Sequence, residues 1–137
     1  MKVYIAGPLF TPEQRKLLEQ IDGICQELGW ETYLPHRDAG LFDRSSGSSK
    51  KFFRNDMKQL EESALVVAVL DGCDVDSGTA WELGYFYRLQ KGPIVGYTGD
   101  VRIAEPENQI NPMVYHSLQT LTRNLEELKE ALQSLKG

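Results

Sequence analysis

Cysteine is scarce in this chain. Cys25 and Cys73 are the only two in 137 residues, too few for a disulfide scaffold, and they form neither a Cys-x-x-Cys pair nor any other metal-ligand spacing. Cys25 reads as a core residue of a helix. Long hydrophobic runs are missing too. No apolar stretch nears the roughly 20 residues of a membrane span, and Met1-Lys2-Val3-Tyr4-Ile5-Ala6 is broken by Gly7-Pro8 too soon to read as a signal peptide. A cytoplasmic location without a membrane partner is therefore expected. Clustered positive charge is also absent. Fifteen basic against 20 acidic residues give a formal charge of −5, and no basic run exceeds Lys50-Lys51, so the footprint of a nucleic-acid polymer is lacking. The two histidines, His36 and His116, are isolated, and a surface or structural role is expected of each. Asp71, Asp74 and Asp76 share part of the spacing of a Ca²⁺ loop, but the remaining liganding positions are missing and no metal site is expected.

What the chain does contain is an alternation of strand and helix signals. Lys2 to Ala6 reads as a strand ended by Gly7-Pro8. Thr11-Pro12-Glu13-Gln14 is a capping box with proline at the first helical position, opening a helix to Leu28 on the stripe Leu17, Leu18, Ile21, Ile24, Cys25, Leu28, with Gly29 as its stop. Glu31 to Leu34 is a second strand. From His36 to Ser49 the composition turns to Gly, Ser, Asp and Arg, and Ser45 to Ser49 reads as a flexible segment and a candidate lid. A helix over Lys50 to Glu62 follows, then the apolar strand Ala64 to Leu70, of the kind buried on both faces. A helix from Thr79 to Gln90, a strand Ile94 to Tyr97, a polar loop to Gln109, a turn over Asn111 to Tyr115, a strand near Leu118 to Leu121 and a Thr122-capped amphipathic helix complete the reading. This pattern predicts one domain over residues 1–137: a doubly wound, flavodoxin-like α/β fold with a parallel sheet of about five strands and helices on both faces.

In such a sheet the loops after the first, second and third strands meet along one edge, where open α/β sheets do their chemistry. Asp76-Ser77-Gly78-Thr79-Ala80-Trp81-Glu82-Leu83-Gly84-Tyr85 follows the third strand. Its small residues let a ligand approach the backbone, and Glu82 is expected in the first turn of the helix. An acidic residue there could equally serve the helix dipole alone, worth roughly 0.3–1 kcal/mol. On the Lys50 helix, Phe52, Phe53, Asp56, Met57 and Leu60 share one face, which Asp56 interrupts with a carboxylate. Buried and unpaired, Asp56 would keep its proton near neutrality and suit a general acid; on a solvated edge it would pair with Arg54, Lys58 or a backbone donor. Trp81, Tyr85 and Phe86 fall at helical spacing and are expected to be core packing.

The Asp76 to Tyr85 segment resembles the signature of the nucleoside 2-deoxyribosyltransferase family, which carries a Glu in a Glu-Leu-Gly-Tyr context at this point. Tyr4-Ile5-Ala6-Gly7-Pro8-Leu9-Phe10 agrees with that resemblance, and Asp56 matches in position the family's base-contacting Asp. The resemblance implies that Glu82 is the nucleophile, Asp56 the proton donor to the departing base, and Tyr4 the residue that orients the Glu82 carboxylate. Asp76 would hold sugar hydroxyls and Phe10 border the base, while Gly7 and Gly78 are expected where the substrate meets backbone. Asn111-Pro112-Met113 resembles the family's Asn-Leu-Met, whose Asn reaches the sugar's 5′-hydroxyl in a neighbouring subunit, so a homo-oligomer, a dimer or larger, is implied. Pro112 departs from that pattern and restricts Asn111. The implied reaction moves 2′-deoxyribose between purine or pyrimidine bases through a covalent glutamyl intermediate, with nucleosides and free nucleobases as partners and neither metal nor cofactor. Two alternatives stand beside it. One is an N-glycosidase of the same superfamily acting on deoxynucleoside 5′-monophosphates, with phosphate donors from Ser45 to Ser49, Lys50 and Lys51, although Gly-Pro-Leu-Phe lacks the Ser and Arg expected of that class. The other is a nucleotide-binding module without turnover.

Overall fold

The computed structural model describes residues 1–40 and 49–137; the Ser-rich segment read as a lid lies, apart from Ser49, outside them. Five strands, β1 (Lys2–Ala6), β2 (Glu31–Tyr33), β3 (Leu65–Val69), β4 (Ile94–Tyr97) and β5 (Thr120–Thr122), form one sheet in the order β2-β1-β3-β4-β5. Every pairing is parallel. The order reverses between β1 and β3, which opens the crevice of a doubly wound sheet at the carboxyl ends of those two strands.

Strand alternation divides the core. Val3, Ile5, Val67, Val69 and Val95 face α1 (Pro12–Glu27) and α7 (Leu125–Lys136), where they meet Leu18, Ile21, Cys25, Leu128 and Leu132. Tyr4, Ala6, Val66, Ala68 and Leu70 face α3 (Ser49–Glu62) and α4 (Ser77–Leu89), against Leu60, Leu83 and Phe86. β3 is buried at every position, as expected of a strand covered on both faces. Burial pushes the Cys25 thiol up to about 12, so it stays a protonated core residue.

The capping box at Thr11 forms, and the same Gln14 side chain accepts from the backbone N–H of Phe10 at 2.9 Å, which ties the loop after β1 to the first turn of α1. Arg15 adds a bond to the Leu9 carbonyl at 2.9 Å. Helix α1 ends as expected, with Gly29 in the left-handed region at φ 80°.

Several boundaries differ from the sequence reading, each for a local reason. Helix α4 begins at Ser77, two residues early, because Asp76 caps it by accepting from the Thr79 N–H at 3.1 Å. The last helix is capped by Asn124 through the Glu127 N–H at 2.8 Å, while Thr122 is the last residue of β5 and donates its hydroxyl to the Gly96 carbonyl at 2.8 Å. Strand β5 is shorter and later than Leu118 to Leu121, because Leu118 completes the turn after α6 (Pro112–Tyr115). Prolines at the first helical position also start two short helices, α2 (Pro35–Asp38) and α5 (Pro106–Gln109), in stretches read as loop.

Candidate active site

Glycine and aromatic residues after β1, the inner face of α3 and the start of α4 enclose a cavity of about 460 Å³ at the crevice between β1 and β3. Gly7, Leu9 and Phe10 come from the first loop, Phe52, Phe53, Asp56, Met57 and Leu60 from α3, and Asp76, Gly78, Trp81 and Glu82 from the third loop and α4. The residues singled out on three distant stretches of sequence thus line one space. Gly7 is required there by packing as much as by ligand access, since a Cβ would lie 2.9 Å from Leu18 Cδ2 and 3.0 Å from Val69 Cβ.

The two carboxyls expected to do chemistry are each held by a tyrosine. Tyr4, fully buried on β1, donates its hydroxyl to Glu82 Oε2. Tyr33, at the end of β2, donates to Asp56 Oδ1 at 2.9 Å and accepts from Asn55 Nδ2 at 2.8 Å. The tyrosines are register partners on the parallel β1–β2 pair, so their side chains leave the same face of the sheet, with ring centroids 5.3 Å apart. Tyr33 was not singled out from sequence.

Removal from water dominates the electrostatics. It pushes the Glu82 carboxyl up to about 8; the Tyr4 hydrogen bond pulls the other way, and the charges of Asp56 and Asp76 add to the rise. Burial raises Asp56 as well, opposed by the Tyr33 bond. Both tyrosines are raised, first by burial and then by the nearby carboxylates, and so remain proton donors at any working pH. Two interacting carboxyls in one half-buried space favour holding a single negative charge between them.

Asp76 spends Oδ2 on the Thr79 N–H and hydroxyl, both at 3.1 Å, leaving Oδ1 for a ligand. Glu82 stands in the second turn of α4, and no acidic residue occupies the first, so the dipole explanation for Glu82 loses its geometric basis. Asp56 is half-buried and accepts from Tyr33 and, among the described residues, from neither Arg54 nor Lys58, so it matches neither an unpaired buried carboxyl nor one paired on a solvated edge. Trp81 corrects the core-packing expectation: it is half exposed on the cavity rim, edge-on to Phe53 at 5.7 Å and stacked on Tyr85 at 5.5 Å, and only Phe86 of the three is fully buried. Phe10, 72% exposed, also lines the cavity.

Asn111 does not join this cavity. It lines a larger one, about 690 Å³, on the opposite face of α4 with Cys73, Tyr87 and Met113, and its Oδ1 accepts from the Met113 N–H at 2.9 Å. Asp71 lies outside both, accepting from Thr98 Oγ1 at 2.8 Å and the Gly99 N–H at 3.0 Å. Among the described residues no cluster of three or more His, Cys, Asp or Glu is arranged to hold a metal ion, and no helix is long and apolar enough to cross a membrane.

A sequence model of the nucleoside 2-deoxyribosyltransferase family matches residues 3–130. The chain belongs to that family. Among solved structures it is similar to a conserved protein from Enterococcus faecalis, at TM-score 0.81 and 27% identity over 98% of both chains. A 2-deoxyribosyltransferase from Bacillus psychrosaccharolyticus aligns at TM-score 0.77 and 28% identity, over 94% of this chain and 90% of that one. A CMP N-glycosidase from Clostridium botulinum shares the fold, at TM-score 0.65 and 17% identity over 98% and 99% of the two chains. An uncharacterised protein from Ureaplasma parvum is 30% identical over 101 residues, which are 66% of this chain and 62% of that relative's length. Family membership rests on the sequence model, and the fold is shared with all three solved structures.

Proposed function

We propose that the chain transfers 2′-deoxyribose between purine and pyrimidine bases through an ester of Glu82. The observation that carries this reading is the pair of half-buried carboxyls lining one cavity, each bonded to its own tyrosine. In the first step a Glu82 carboxylate oxygen bonds to C1′, the C1′–N bond breaks with its electron pair passing to the base, and Asp56 gives the base a proton. In the second, a nitrogen of the incoming base attacks C1′, the Glu82 ester bond breaks, and the proton returns to Asp56. Two displacements restore the configuration at C1′. Tyr4 orients and stabilises the Glu82 carboxylate, Asp76 Oδ1 takes sugar hydroxyls, and Phe10, Phe53 and Trp81 border the base. Gly7 and Gly78 allow the sugar to lie against backbone. Asn111, on the far face of α4, reaches the sugar of a neighbouring copy in a homo-oligomer.

Charge supports a nucleoside over its 5′-monophosphate. The titratable groups among the described lining residues are Asp56, Asp76 and Glu82, with no Lys, Arg or His. A phosphate dianion entering that set would meet three carboxyls and, among the described lining residues, no cation to offset them. The test compares deoxyinosine with its 5′-monophosphate, each with and without free adenine, and ribonucleosides beside them. Exchange of deoxyinosine that outpaces sugar release is expected; faster release from the monophosphate would favour the glycosidase. Intact-protein mass spectrometry after brief mixing with deoxyinosine should show one deoxyribosyl adduct on the peptide containing Glu82, and saturable binding without product or adduct would mark a binding module.

A further inference from the structure

Asn55 and Asp56 are consecutive on α3, and both reach the same hydroxyl, that of Tyr33. A phenolic oxygen carries a single hydrogen. Because Asn55 donates to that oxygen, the hydrogen of Tyr33 is directed at Asp56 Oδ1, where it occupies the lone pair that a bound proton would need. The ring itself is fixed. Tyr33 is buried, packs against Tyr4 at 5.3 Å and is set by the strand register, so its hydroxyl cannot wander without disturbing β1 and β2.

We propose that Tyr33, held by Asn55, is a positioning residue for Asp56: it fixes the carboxyl plane and leaves Oδ2 as the oxygen from which the departing base takes its proton. The sheet therefore supplies one tyrosine to the carboxyl that forms the sugar bond and its register partner to the carboxyl that moves the proton. Tyr33 exchanges no proton with substrate. This inference rests on Asp56 acting as proton donor, and its test separates the two. Groups that act on the pair are Glu82 from α4, Tyr4 from β1 and Asp38 from α2, whose charge is felt at Tyr33.

The experiment uses Tyr33→Phe and Asn55→Ala in the full chain, with Asp56→Asn as control. Phenylalanine keeps the ring and its packing. Each is assayed on deoxyadenosine and on an N7-methylated purine deoxynucleoside, whose base departs neutral and needs no proton. Tyr33→Phe should lose roughly ten- to a hundredfold in kcat/KM on deoxyadenosine, the scale of a mispositioned catalytic group, yet stay within about threefold of the parent on the methylated substrate. Asn55→Ala should show a smaller loss of the same kind. The alkaline limb of kcat/KM against pH should also move up in Tyr33→Phe, because the lost bond is one that favours the ionised carboxyl. Equal losses on both substrates, or an unmoved limb, would overturn the proposal while leaving Asp56 in its role if Asp56→Asn still discriminates. Should Asp56→Asn treat both substrates alike, the proton-donor reading falls, and the role of Tyr33 falls with it.

Discussion

The two faces of α4 look onto two cavities, and the larger is the poorer in chemistry. On one side lie about 460 Å³ walled by Asp56, Asp76 and Glu82 among aromatic rings; on the other, about 690 Å³ in which, among the described lining residues, Asp74 is the one carboxylate, beside Cys73, Tyr87, Asn111, Met113 and His116. Helical geometry explains why one helix serves both, since Gly78, Trp81 and Glu82 project one way and Ala80, Leu83, Gly84 and Tyr87 the other. What separates the faces is desolvated charge with a donor attached. Glu82 is raised to about 8 by burial and still receives the Tyr4 hydroxyl, whereas Asn111 spends its side-chain oxygen on capping a short helix. Volume marks where a molecule could sit; a desolvated carboxyl marks where a bond could break.

The comparison breaks first at Glu82. Glu82→Gln keeps size and can still accept from Tyr4, but it cannot form the sugar ester, and base exchange should fall by on the order of 10⁴-fold or more, read from initial rates. Activity near parent level would remove the distinction between the faces altogether. The same variant tests the cost of the site. A carboxyl at about 8 in the folded chain against an ordinary value of 4.5 loses stability for the protein as pH rises from near 5 to above 8, because the unfolded chain ionises it freely. Glu82→Gln escapes that loss and should be more stable than the parent at pH 9 by on the order of 2–4 kcal/mol, the gain vanishing below the ordinary value. Urea unfolding at both pH values measures it.

A smaller effect is expected at Tyr4. Tyr4→Phe deletes the donor that opposes the rise of Glu82, so the acid limb of the pH profile should move upward, and kcat should drop roughly ten- to a hundredfold at neutral pH. The ring survives, so packing of the face shared with Leu60 and Phe86 is kept. A limb that stays in place would mean that burial alone governs Glu82.

Next comes the aromatic rim. Trp81→Ala should raise KM for base and nucleoside by roughly tenfold, in keeping with about 1–3 kcal/mol for stacking a base on an aromatic side chain, with kcat nearly unchanged. Tyr87→Ala, from the opposite face of the same helix, is the matched control and should leave KM alone. Equal effects would show that both faces handle substrate.

Much of this contrast is written locally. Strand alternation separates Val3 and Ile5 from Tyr4 and Ala6, and the apolar run of β3 announces a central strand. Glu82, Asp76 and Asp56 stand out because carboxylates interrupt small or apolar surroundings. Two errors had readable signals: Asp76 is a favoured N-cap residue directly before the small-residue helix start, and Asn124 with Glu127 three residues on is a capping pattern. Trp81 was legible in spacing but not in exposure, since stacking on Tyr85 obeys helical periodicity on the rim of a cavity as well as in a core. Tyr33 is another case. Its role depends on sitting beside Tyr4 in a parallel pair, and that register is set by packing between strands 29 residues apart rather than by anything near Tyr33 in the chain.

The mildest variant sharpens the comparison most. Asn111→Ala removes a cap from a four-residue helix, and that alone costs about 1 kcal/mol of stability with no reason to touch KM. If Asn111 serves only its own chain, on the face away from the carboxyls, the variant should melt a few degrees lower and turn over substrate as the parent does. If a neighbouring copy takes that side chain into its own site, KM for a deoxynucleoside should rise by about tenfold, as for a lost hydrogen bond to a sugar hydroxyl. A substrate lacking the 5′-hydroxyl decides between them. Against 5′-deoxy analogues the parent and Asn111→Ala should then behave alike, and dilution below the assembly concentration should weaken the parent on the ordinary substrate. The larger cavity would in that case be half of a shared site, with α4 joining the two halves.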